Sequence, residues 1–170
     1  MELKKNLVFL GMMGSGKSSI GVLISKKLKC NFVDTDNEIE KISKMRISNI
    51  FVKKGEKYFR SLEEKVVLKS IQQKNLVISL GGGAFINNNI RKEILSKHYS
   101  FWLNWKDEII VSRIKNSKKR PIVSKLSDKE IVELIEKRSK IYSKAMFKID
   151  CDNLTKSEIV NKIIKIYEQI

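Results

Sequence analysis

Eight residues near the start of the chain, Gly11-Met12-Met13-Gly14-Ser15-Gly16-Lys17-Ser18, follow the pattern G-x-x-x-x-G-K-[ST] in full. That spacing suits one task, the holding of a chain of phosphates. Glycines let the backbone turn its amide N–H groups inward onto phosphate oxygens. A helix that opens near Lys17 aims its positive end at the same anion. Lys17 would reach the β- and γ-phosphates as a point charge, and Ser18 would place its hydroxyl on Mg²⁺. Gly14, Ser15, Gly16, Lys17, Ser18 and Ser19 are the candidate triphosphate contacts.

Such a loop works only between a buried strand and a helix, and the flanking sequence supplies both. Leu7 to Leu10 is a short apolar run, and Lys17 to Lys29 carries Ile20, Val22, Leu23, Ile24 and Leu28 at helical spacing. Strands are expected at Asn31–Val33, Leu76–Leu80, Tyr99–Leu103 and Phe147–Cys151. Helices are expected over Asn37–Val52, bent or broken before Gly55, then over Glu56–Gln73, Asn89–Lys97 and Asp107–Ile114. Ser127 with Glu130, and Thr155 with Glu158, have capping-box spacing and open two further helices, to about Ala145 and Ile170. Lys115–Lys125 is polar and basic, holds the only proline (Pro121), and reads as a loop. Strand alternating with helix predicts an α/β fold of three layers, a five-stranded, mostly parallel sheet with helices on both faces.

Composition excludes several classes. At 170 residues with 42% hydrophobic content, one domain over 1–170 can bury roughly 68–70% of its unfolded surface and needs no staple. The apolar run Leu7–Met13 is far short of the ~20 residues of a membrane span and lacks a signal-peptide cleavage site. Cys30 and Cys151 are too few for a disulfide framework or a four-cysteine zinc site, and read as buried thiols in a reducing cytoplasm. The net charge of +16 invites a nucleic-acid reading. Its lysines are spread along the chain rather than gathered, which favours a solvated surface that also draws in small anions.

Phosphate-binding loops serve kinases, switches and motors alike. Little chain remains beyond a five-strand core for a motor module, and no N-K-x-D guanine signature is present, so a small-molecule kinase leads. Further along stand Asp34-Thr35-Asp36, Phe59-Arg60-Ser61-Leu62-Glu63, Gly81-Gly82-Gly83-Ala84, Arg120-Pro121 and Arg138. With the phosphate loop, this ordered series resembles the shikimate kinase family across nearly the whole chain.

The resemblance implies a nucleoside-monophosphate-kinase-like fold of the phosphate-loop kinase type, with a substrate-binding helical segment at about 34–62 and a lid at about 115–125. It implies transfer of the ATP γ-phosphoryl group to the 3-hydroxyl of shikimate, with Mg²⁺ as cofactor, in the cytoplasm. The partners implied are ATP and shikimate, with a monomeric chain and neither nucleic acid nor membrane. Arg60 and Arg138 would clamp the carboxylate, where a planar guanidinium suits both oxygens. Glu63 would pair with Arg60 and fix its rotamer. Asp36 would orient the attacking hydroxyl and take its proton, and Asp34 would act on the metal through water, unless the two only cap a helix. Gly81, Gly82 and Gly83 would bring amides against the substrate, with Phe51 and Phe59 either walling the ring or packing in the core. Lys17, Asp36 and Arg120 form the catalytic set, Arg120 being the lid arginine, while Arg113 would pack on the adenine side. The chain departs from the family at two prolines. None stands two residues after Arg138, which is expected to loosen the helix there, and none in the loop Asp150–Asn153, where adenine would meet backbone. Two other readings stay open: a kinase of another small acceptor, such as gluconate or a nucleoside monophosphate, and a phosphate-loop nucleic-acid-binding protein using the +16 charge.

Overall fold

Leu7–Leu10 (β1) is apolar at every position because both of its faces are covered. In the computed structural model, which describes residues 3–116, 123 and 126–170, β1 is the middle strand of five. Asn31–Asp34 (β2), Leu76–Ser79 (β3), Tyr99–Asn104 (β4) and Phe147–Asp150 (β5) complete a parallel sheet of order β2-β3-β1-β4-β5. Period-two alternation sends Val8 and Leu10 to one core and Leu7 and Phe9 to the other. Helices Lys17–Leu28 (α1) and Lys156–Glu168 (α7) supply Ile20, Ile24, Ile159 and Ile163 to the Leu7/Phe9 side. The opposite face is covered by Ile47–Ile71 (α3), Asn88–Lys97 (α4), Asp107–Lys115 (α5) and Asp128–Tyr142 (α6). The expected three-layer α/β architecture is thus present. Both capping boxes form, Ser127 with Glu130 and Thr155 with Glu158.

One helix differs from expectation. The segment read as Asn37–Val52 is two helices, Thr35–Ser43 (α2) and the first part of α3. Lys44 turns left-handed at φ 52°, and the Ile47 amide that would lack a partner donates to Glu40 Oε1 at 2.9 Å. No glycine or proline marks that turn, so its signal is a side-chain bond that periodicity does not register. The bend at Gly55 is present inside α3, at φ 80° and ψ 168°. Helix α6 runs unbroken through Lys140 to Tyr142 without that proline.

Of the two thiols, Cys151 is buried and Cys30 half-buried, a correction to the expectation that both are buried. Burial pushes the Cys151 thiol up to about 12 and raises that of Cys30, so both stay protonated near neutrality. Arg120, Pro121 and most of the expected lid lie outside the described residues.

His98 ends α4 with 8% of its surface exposed, and neither ring nitrogen has a hydrogen-bond partner among the described residues. Burial lowers its pKa below the usual 6.5; Glu93 opposes this, while Lys97 and Lys5 add to it. The unfolded chain therefore binds the proton more readily than the folded one, and stability falls as pH drops below 6.5. We expect the melting temperature of His98→Leu to fall less steeply than that of the parent between pH 6.5 and about 5, above the carboxylate range. Parallel slopes in thermal melts would refute this.

Candidate active site

Three strands that neighbour one another, β2, β3 and β1, send their carboxyl ends to the same edge of the sheet, where sites of such folds collect. After β1, Gly14 and Gly16 take φ values of 78° and 88°, which only glycine holds without strain. The turn they make seats Lys17 at the start of α1, 7% exposed and the only lysine buried among the described residues. Its Nζ donates to the carbonyls of Gly11 (3.0 Å) and Met12 (2.8 Å) and lies 3.4 Å from Ser15 Oγ. Ser18 and Ser19 stand exposed in the first turn of α1.

Asp34 closes β2 and serves two purposes at once. Its Oδ1 caps α2, accepting from the amides of Asp36 (3.0 Å) and Asn37 (3.2 Å). Its Oδ2 accepts from the Ser18 hydroxyl, which also lies 3.4 Å from Ser79 Oγ. The cap reading and the metal-side reading are therefore compatible, because one carboxylate has two oxygens. Since α2 begins at Thr35, Asp36 falls in its first turn, where the helix dipole favours a carboxylate.

The glycines after β3 differ in kind from those of the loop. None has a left-handed φ; at Gly81 and Gly83 a side chain lies where a Cβ would stand, and at Gly82 the nearest neighbour is backbone. A Cβ on Gly81 would stand 2.5 Å from Asp36 Oδ1 and 3.0 Å from Glu63 Oε1. On Gly83 it would stand 2.4 Å from an Arg60 nitrogen. On Gly82 it would meet Arg138 at 3.7 Å and the backbone of Met13 at 3.3 Å. Three successive residues thus touch Asp36, Arg138 and Arg60 in turn. The Gly81 amide is committed to Thr35 Oγ1 at 2.9 Å, so what Gly81 provides is the space for Asp36.

The two arginines are prepared differently. Arg60 reaches Glu63 at 2.7 Å and Glu56 at 3.3 Å. Burial works against its charge, but Glu63 and then Glu56 outweigh burial and raise its pKa. Arg138, half-buried, has no carboxylate within ion-pair distance among the described residues, and its terminal nitrogen lies 3.9 Å from the Met12 sulfur. Four residues on, and so on the same face of α6, the buried Tyr142 hydroxyl donates to the Gly82 carbonyl. Burial pushes that phenol up to about 12, and it remains a donor. Phe59 is 1% exposed and belongs to a core cluster, with the half-buried Phe51 ring 4.6 Å away.

Arg113 packs on the phosphate loop, donating to the Gly14 carbonyl at 3.0 Å. Trp105 does the same for the Ser15 carbonyl at 2.9 Å. Thr35, Ser79, Trp105 and Tyr142 are site neighbours that the reading of the sequence did not assign. Only Tyr142 carried a signal, its spacing from Arg138. Ser18 and Asp34 offer hard oxygen donors, and among the described residues no group of three or more His, Cys, Asp or Glu is set to hold a metal. A hydroxyl with one carboxylate fits Mg²⁺, which keeps waters and leans on phosphate oxygens.

This arrangement has close counterparts. A family model described as shikimate kinase matches residues 13–168. A shikimate kinase of Thermodesulfovibrio yellowstonii is 41% identical over 167 residues, covering 98% of this chain and 96% of that protein. The structure of an Acinetobacter baumannii shikimate kinase in complex with shikimate superposes with a TM-score of 0.92 at 27% identity, covering 97% of this chain and 93% of the other. That of Aquifex aeolicus gives 0.86 at 37% identity, covering 96% of each chain. A family model spanning residues 13–168 and a relative 41% identical over 98% of the chain leave one assignment: the chain belongs to the shikimate kinase family.

Proposed function

We propose that the chain transfers the γ-phosphoryl group of ATP to the 3-hydroxyl of shikimate, giving shikimate 3-phosphate and ADP. The observation that supports this best is the position of Gly82, whose absent side chain would touch the phosphate loop at Met13 and the guanidinium of Arg138. A nucleotide-side element and an acceptor-side cation thus border one residue, which supports triphosphate and acceptor being held next to each other. The whole chain acts as one kinase domain, with about 34–62 on the acceptor side and about 115–125 as the lid. Two free thiols support a reducing cytoplasm.

In this reading the loop amides and Lys17 grip the triphosphate, and Arg138 with the Glu63-braced Arg60 holds the acceptor carboxylate. Asp36 orients the 3-hydroxyl and receives its proton as the oxygen–phosphorus bond forms. Catalysis comes chiefly from positioning and charge stabilisation, since the transition state is loose. Arg120, implied by the family resemblance, would close over the phosphates, and Arg113 would face the base. Ser18 and, through water, Asp34 would hold Mg²⁺, which when bound neutralises charge on the phosphates.

The test is ADP release measured with and without shikimate, alongside gluconate and nucleoside monophosphates. Shikimate-dependent turnover alone is the expected result, and its absence would reject the assignment.

The two roles of Asp34 give a sharper prediction. Asn caps a helix as well as Asp, so Asp34→Asn should change stability by less than about 0.5 kcal/mol, whereas Asp34→Ala should cost ~1 kcal/mol. Asp34→Asn should nonetheless raise the Mg²⁺ needed for half-maximal activity about 10- to 100-fold. A Mg²⁺ titration identical to the parent's would remove Asp34 from the metal side.

A further inference from the structure

Trp105 follows β4 directly and wedges its half-buried ring against both hydrophobic cores, at the end of the sheet where the phosphate loop begins. Its indole N–H donates to the Ser15 carbonyl at 2.9 Å. The guanidinium of Arg113 lies over the same ring, 3.9 Å from its centroid, and donates to the Gly14 carbonyl at 3.0 Å. One aromatic ring therefore stands behind two consecutive carbonyls of the loop, one bonded directly and the other through the arginine stacked on it.

The consequence follows from the planar peptide. A carbonyl and the N–H of the next residue point in opposite directions across a trans peptide. Drawing the Gly14 carbonyl toward Arg113 turns the Ser15 amide inward, where it meets the Met12 carbonyl at 3.2 Å. Drawing the Ser15 carbonyl toward Trp105 turns the Gly16 amide inward by the same geometry. Glycines on either side of Ser15 make this stretch the part of the loop most free to reorient, and the part most in need of an outside hold.

We propose that Trp105 is a positioning residue for the nucleotide: through its bond to the Ser15 carbonyl and its stacking on Arg113, which holds the Gly14 carbonyl, it fixes the phosphate-loop backbone before phosphate arrives. This rests on the nucleotide-binding reading above. The hold acts before chemistry and equally through the transition state, so it belongs to KM for ATP rather than to kcat.

Trp105→Phe keeps a ring beneath Arg113 and removes the N–H, whereas Trp105→Leu removes both. The expected rise in KM for ATP is about fivefold in Trp105→Phe, the worth of one net hydrogen bond, and about twentyfold in Trp105→Leu. The KM for shikimate and kcat should stay within about twofold. The change in tryptophan emission on adding ADP should vanish in Trp105→Phe and persist in Trp102→Phe. ADP affinity by calorimetry that matches the parent in both Trp105 variants overturns the role of Trp105 while leaving the nucleotide reading standing. An equal loss for both substrates shows a merely structural part and overturns it as well. A parent chain that binds no ADP overturns the nucleotide reading itself, and the role of Trp105 with it.

Discussion

Exchanging Lys17 for Met is expected to lower kcat about 10²- to 10³-fold, the usual loss when one preorganised donor to a developing charge is removed. Methionine keeps most of the side-chain volume, so the packing of a residue only 7% exposed is largely retained. What disappears is the ammonium, held at 3.0 and 2.8 Å by the Gly11 and Met12 carbonyls. Those are bonds to neutral oxygens, and an arriving phosphate can replace them with charge-assisted ones that strengthen as charge accumulates on the transferring group. An interaction that grows along the reaction coordinate shows in kcat rather than in KM alone. Steady-state rates at saturating shikimate, with a thermal melt to show that the variant folds, provide the check. A kcat within tenfold of the parent would mean that Lys17 serves the loop and not the reaction.

The second large effect is expected at Arg138. Replacing it with Met should raise KM for shikimate about 10²-fold or more, as truncating one partner of a desolvated charge pair does. The melting temperature should hardly move, because no carboxylate among the described residues pairs with Arg138 and no ion pair is lost. Arg60 offers no such separation. Its removal takes a 2.7 Å partner from Glu63, which is buried, so binding and stability would fall together. The methyl ester of shikimate isolates the charge: with it, parent and Arg138→Met should differ by less than about threefold, since the anion that Arg138 holds is gone. An equal loss for acid and ester would show that Arg138 acts through packing.

How much of this could be read beforehand depended on whether a residue's duty is local. The phosphate loop was legible because its strand, glycines, lysine and helix are consecutive, as were both capping boxes. Strands β1, β3 and β4 were legible as short apolar runs buried along most of their length, and the edge strands β2 and β5, buried only in part, as the brief apolar stretches around Phe32-Val33 and Ile149. The division between α2 and α3 was not, because it rests on Glu40 reaching an amide seven residues away. For the glycine run, the position was legible and the reason was not. Backbone freedom is the ordinary reading of three glycines, whereas here Asp36 and Arg60 occupy the space that side chains would fill. Trp105 drew no reading, since a bond to Ser15 ninety residues away leaves no trace in spacing. Charge misleads in the same way, because 35 basic residues dominate the composition and the few that matter here are told apart only by burial and partners.

The place of β3 in the sheet bears on how the protein comes off the ribosome. The strand lies between β2 and β1, and each of these bonds to it rather than to the other. Yet it begins only at Leu76, long after Ser18 and Asp34 have been made. A nascent chain halted before that point would carry the complete phosphate-loop sequence without the strand that joins β1 and β2 into one sheet and so seats Ser18 and Asp34 at one edge. Ligand competence would therefore emerge abruptly, when one late strand slots between two early ones, and a growing polypeptide would gain no protection from cellular nucleotide until then.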